Sequence, residues 1–115
     1  MEKKSFIMRI YISGPMTDKT TGKVSKANIE AFYKMEQRLR DAGNIHIVNP
    51  AKVWACRFPW IYKIVGYRLT LLYDLMLLRR CDAIYLLSGW ENSTGAYAEF
   101  CLACRLRLTI LKSSK

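Results

Sequence analysis

Apolar residues along the chain fall into short runs set apart by polar stretches, and each run carries its own period. Phe6-Ile7-Met8-Arg9-Ile10-Tyr11-Ile12 is rich in β-branched and aromatic side chains and stops at Ser13-Gly14-Pro15, which predicts a central strand entering a turn. Residues 17–24 are polar and include Gly22, a loop composition. Ser25 then offers an N-cap, and Ile29, Phe32, Met35, Glu36 and Leu39 follow at helical spacing until Gly43 stops the helix. Ile45-His46-Ile47-Val48 predicts a second strand, closed by Asn49-Pro50. Residues 51–66 hold Trp54, Phe58, Trp60 and Tyr62 without a clean period. Tyr67 to Arg80 predicts an apolar helix, Asp82 to Leu87 a third strand, Gly95 to Arg105 a third helix and Leu108 to Leu111 a last strand.

The order β-α-β-α-β-α-β, with strands that do not alternate apolar and polar, predicts a parallel sheet covered on both faces. The expected fold is one α/β domain over residues 1–115. It is a small Rossmann-like or flavodoxin-like three-layer domain with a parallel sheet of four or five strands. Ligands of such sheets bind beyond the carboxyl ends of the strands. Here those ends are Ser13-Gly14-Pro15-Met16, Asn49-Pro50 and the loop from Ser88 to Ser93.

Composition narrows the classes. Hydrophobic residues make up 51% and charged ones 24%, too apolar for a disordered chain. Nineteen Lys and Arg against nine Asp and Glu give a net charge of +10, which favours an anionic partner. The basic residues are dispersed rather than gathered in one block, so dedicated nucleic-acid binding is possible in principle but not favoured. The apolar run from Phe58 to Leu78 is interrupted by Lys63, Arg68 and Asp74, which argues against a membrane span. No signal segment is expected ahead of the first strand, and the four cysteines, Cys56, Cys81, Cys101 and Cys104, are expected to be reduced, buried thiols of a cytoplasmic protein. Cys101-x-x-Cys104 has no second pair at metal-ligand spacing, so no metal site is expected.

Two carboxylates stand where a carboxylate is costly. Asp74 lies mid-helix among Thr70, Leu71, Leu77 and Leu78, so it is either a structural partner of Arg68 or Arg79 or a functional group. Glu99 sits in the early turns of the last helix, where the helix N-terminus favours its ionised form and Gly95, Ala96 and Ala103 leave space; a solvated surface Glu is the plainer alternative. Ser93-Thr94-Gly95 either cradles a phosphate with backbone N–H groups or caps the helix. His46, the one histidine, reads as structural. Trp54, Trp60 and Trp90 read as core aromatics, with Trp90 best placed for a ligand.

Taken together, these motifs resemble the nucleoside 2-deoxyribosyltransferase superfamily. Tyr11-Ile12-Ser13-Gly14-Pro15-Met16 is similar to its opening strand and loop. Asp74-Leu75-x-x-Leu78-x-x-Cys81-Asp82 is similar to its middle motif, and Ser93-x-Gly95-x-x-x-Glu99 to its last. A small branch of uncharacterised bacterial and phage domains, DUF4406-like, is more similar still, through Tyr11, Asn49-Pro50-Ala51, Cys81-Asp82, Gly89-Trp90-Glu91 and Glu99.

The resemblance implies cleavage of the N-glycosidic bond of a nucleoside or nucleotide, with transfer to another base or to water. It implies Glu99 as nucleophile, Asp74 as proton donor or sugar anchor, and Tyr11 orienting Glu99. It implies substrate contacts from Ser13, Gly14, Met16, Asp82, Trp90, Ser93 and Gly95, and no cofactor. Ser93 matches the branch that hydrolyses nucleoside monophosphates, whereas the arginine of that branch's phosphate loop is missing from Pro15-Met16-Thr17. Partners implied are the small-molecule substrate and further copies of the chain, a homo-oligomer with residues 54–62 as the candidate contact. A nucleotide-binding module without turnover and a basic nucleic-acid accessory protein are the alternative functions.

Overall fold

The structure is a computed structural model and describes residues 8–16, 25–52 and 72–112. Four parallel strands form one sheet: β1 (Arg9–Ser13), β2 (His46–Val48), β3 (Ala83–Leu86) and β4 (Thr109–Lys112), in the order β2-β1-β3-β4. This is the expected α/β, Rossmann-like architecture. Helix α1 (Lys26–Asp41) joins β1 to β2, residues 72–79 form α2 ahead of β3, and α3 (Thr94–Arg105) joins β3 to β4. A single 3-10 turn, Trp90–Asn92, precedes α3. The aromatic 54–62 segment, Arg68, Cys56 and the 17–24 loop lie outside the described residues.

Strand alternation divides the core in two. Tyr11, Ile84 and Leu86 point towards α2 and α3, where Leu78, Cys81 and Ala103 meet them. Ile12 and Leu87 point the other way, onto Phe32 and Met35 of α1. Ser25 caps α1 through its hydroxyl, which accepts from Asn28 N at 3.2 Å, and Gly43 ends the helical path at φ 106°, a left-handed conformation suited to glycine.

β1 pairs with β2 on one side and β3 on the other, and the chain leaves the sheet in opposite directions from these two central strands. In sheets of this kind ligands bind beyond the carboxyl ends of the strands at such a reversal, where a crevice is expected. The chain is tight there. Leu87 N donates to Ser13 O at 2.8 Å, and a Cβ added to Gly14 would stand 2.8 Å from Leu87 Cβ. Among the described residues no helix is long and apolar enough to cross a membrane.

Candidate functional site

Tyr11 and Ser13 are two residues apart on a strand, so both project from the same face, and α3 lays Glu99 across them. The Tyr11 hydroxyl donates to Glu99 Oε2 at 2.8 Å, and the Ser13 hydroxyl donates to Glu99 Oε1 at 2.5 Å. Each carboxylate oxygen is therefore held by one hydroxyl. All three side chains are buried: Glu99 is 6% exposed, Tyr11 and Ser13 not at all. Ala96 and Ala103, one turn either side of Glu99 on the same stripe of α3, are buried too and let the helix lie close to the sheet.

Asp74 comes from α2, 7% exposed, near enough for its charge to act on both Glu99 and Tyr11. The middle and last motifs thus converge on the opening strand. Of the two arginines considered as partners for Asp74, Arg68 lies outside the described residues and Arg79 makes no ion pair among them.

The protonation of Glu99 corrects an expectation. A helix N-terminus favours an ionised carboxylate only within the first turn, and Glu99 is the sixth residue of α3. Burial dominates and lifts its carboxyl to about 8; the negative charge of Asp74 adds to the rise, while the hydrogen bonds from Ser13 and Tyr11 oppose it. Glu99 therefore holds a proton at neutral pH. The Tyr11 hydroxyl is pushed well above its ordinary value, first by burial and then by the charges of Glu99 and Asp74, so it remains a donor.

The other expected residues divide. Gly14 stands against Leu87 at the strand ends. Ser13, expected to touch substrate, instead commits its proton to Glu99. Met16 packs on the α1 side of the core while its carbonyl accepts from Ser25 N at 2.8 Å. Ser93 is the N-cap of α3, its hydroxyl accepting from Ala96 N at 3.2 Å, and Gly95 sits half-buried in the first turn. Trp90 stacks on Tyr97, ring centroids 6.2 Å apart, and lies against Phe100 at 4.6 Å. That contact fixes the loop leading to α3 beside the site. Asp82 does not join the others. It sits at the amino end of β3, where its carboxylate accepts from Arg9 N at 2.9 Å and ties the starts of two strands together.

The cysteines need a second correction. Cys81 is buried, its thiol pushed up to about 11 chiefly by burial, but Cys101 and Cys104 are exposed. Their helix is apolar on more than its core face, which hid the outward positions.

One polar group went unrecognised. Glu36, buried on α1, accepts from Asn49 Nδ2 at 3.1 Å, Lys52 Nζ at 3.0 Å and Arg40 Nη2 at 2.8 Å. Burial alone would raise its pKa, yet these hydrogen bonds outweigh it and hold the carboxyl below the ordinary range. Asn49 Oδ1 in turn accepts from Ala51 N at 3.0 Å, pinning the chain as it leaves β2. The Asn49-Pro50-Ala51 motif was the available signal, since Asn-Pro favours such a turn.

Residues 8–112 match the family described as "Domain of unknown function (DUF4406)", and the chain belongs to that family. No curated protein and no solved structure matches it.

Proposed function

We propose that this protein cleaves the N-glycosidic bond of a nucleotide or nucleoside, with Glu99 as nucleophile, as a member of the nucleoside 2-deoxyribosyltransferase superfamily. The observation that supports this most is Glu99 itself: a buried carboxylate with one hydroxyl on each oxygen, at the carboxyl ends of the central strands and within the field of a second buried acid. Each oxygen keeps a lone pair beyond the one its hydroxyl donor takes. In the reaction one Glu99 oxygen bonds the anomeric carbon as the carbon–nitrogen bond breaks. The base leaves with the bonding pair and takes its proton from water, while Asp74 holds the sugar. Water or a second base then takes the sugar from Glu99. Tyr11 and Ser13 are positioning residues that aim the carboxylate and favour its charged form.

Because the nucleophile must be ionised, the rate rises with pH through about 8 in the unliganded protein. Tyr11→Phe removes a hydrogen bond that favours the anion and moves that limb to higher pH. The test is incubation with a panel of deoxynucleotides and ribonucleotides, read as free base by chromatography. Release that persists undiminished in Glu99→Ala ends the reading, and nucleotide-dependent thermal shifts without release select a binding module instead. The same reading expects a cytoplasmic homo-oligomer, which light scattering on the purified chain checks for its assembly.

A further inference from the structure

The arginines that are scattered along the sequence are gathered by the fold. In a parallel sheet every strand starts at one end, and every helix that returns the chain must finish there. Arg9 begins β1; Arg38 lies in the last turn of α1; Arg79 and Arg80 end the α2 segment; Arg105 and Arg107 lie at the exit of α3. All six are exposed, and none forms an ion pair among the described residues. The described lysines stand elsewhere: Lys26 at the start of α1 and Lys34 at its middle, Lys52 beyond β2, Lys112 at the far end of β4. The acids at the arginine end are occupied, Asp82 by the Arg9 amide and Asp41 by Gln37.

A cation at a helix C-terminus complements the helix dipole, and that accounts for one or two such residues. Two observations go further. A hollow of about 310 Å³ lies here, lined by the apolar Ile47, Val48 and Leu77 together with Arg9, His46 and Arg80. Arg107 holds φ 60° at the position just past α3 where glycine is the favoured residue. A side chain is kept there despite its backbone cost.

We infer that the amino-terminal end of the sheet binds single-stranded nucleic acid, phosphates lying on the arginine rim and one unstacked base entering the hollow between Arg9 and Arg80. Guanidinium forks pair with phosphates and stack on bases, whereas attraction to lipid headgroups does not distinguish arginine from lysine. A concave hollow also suits a splayed base better than a membrane plane or a stacked duplex. The site lies at the opposite end of the strands from Glu99 and stands or falls independently of the glycosidase reading.

The experiment is fluorescence anisotropy with a short labelled oligothymidine, a duplex of equal length, and vesicles with and without phosphatidylserine. Tighter binding to the single strand is expected, weakening steeply with salt. Arg9→Gln with Arg80→Gln should reduce affinity about tenfold or more at low salt and flatten the logarithmic salt slope by about 1.4. Lys26→Gln with Lys34→Gln, which removes the same charge, should change affinity less than threefold. Arg107→Gly should weaken binding while raising the melting temperature, so loss of fold cannot explain the loss. Equal effects of the arginine and lysine pairs, tighter binding of the duplex or of anionic vesicles, or no binding of the single strand would each overturn the proposal.

Discussion

The two ends of the sheet use charge in opposite ways. At the carboxyl end, few ionisable groups are buried together: Glu99, Asp74 and Tyr11 lie close to one another, and the pKa values of Glu99 and Tyr11 are raised by lost water and by the charge of Asp74. At the amino end, six guanidinium groups are exposed and form no ion pair among the described residues. The first arrangement stores free energy in a local environment and suits chemistry on a bound molecule. The second sets up a field that acts over a Debye length, and salt weakens it. On the two proposals above, the contrast sets a reactive pole and a steering pole at opposite ends of one parallel sheet.

The hardest test of the reactive pole is Glu99→Ala, which should lower base release by ~10³-fold or more while Arg9→Gln leaves it within about twofold. Next in size is the pH dependence of stability. The Glu99 carboxyl is raised in the folded state from an ordinary value of 4.5 to about 8, so its contribution is complete below pH 4.5 and is lost as pH rises through 8. Thermal melts should fall between pH 5 and 9 by an amount equivalent to several kcal/mol, and Glu99→Gln should flatten that fall. A melt unchanged over this range would mean that Glu99 is solvated.

Glu36 gives the opposite sign. Its lowered folded pKa adds stability above pH 4.5 that is lost as pH falls through the folded value, so Glu36→Gln should cost about 2–3 kcal/mol at pH 7 in urea unfolding and less in acid. Gly14→Ala presses a methyl against Leu87 and should cost about 1–3 kcal/mol, with Ser13 displaced and base release reduced alongside. The smallest effect belongs to the other pole. Arg107→Gly relieves a left-handed backbone and should gain about 1 kcal/mol, roughly 4 °C in melting temperature.

Much of the fold was legible in the chain because short apolar runs and caps are local signals. Ser25 and Gly43 bracket α1 as expected, and each strand begins within three residues of its expected start. The pairing of Glu99 with Tyr11 came from resemblance, since no local pattern joins residues 88 apart. Ser13 was assigned to the substrate because its strand-end position was visible and its partner was not. The helix dipole misled at Glu99: its effect can be read from sequence position, whereas burial, the larger influence, cannot. Glu36 and its three partners escaped notice for a related reason, as Asn49 and Lys52 reach it only after β2 has paired. The arginine pole was invisible because its members are dispersed over four separate stretches of the chain, and only parallel topology brings them together.

Strand β1 carries Tyr11 and Ser13 and is hydrogen-bonded along both edges, to β2 and to β3. Its amides belong to the part of a domain that exchanges with solvent last, through global rather than local opening. The two hydroxyls that hold Glu99 are thus anchored in the slowest-breathing element of the molecule. Frayed ends leave their geometry intact, and the acid cluster comes apart when α2 or α3, which carry Asp74 and Glu99, lifts from that strand.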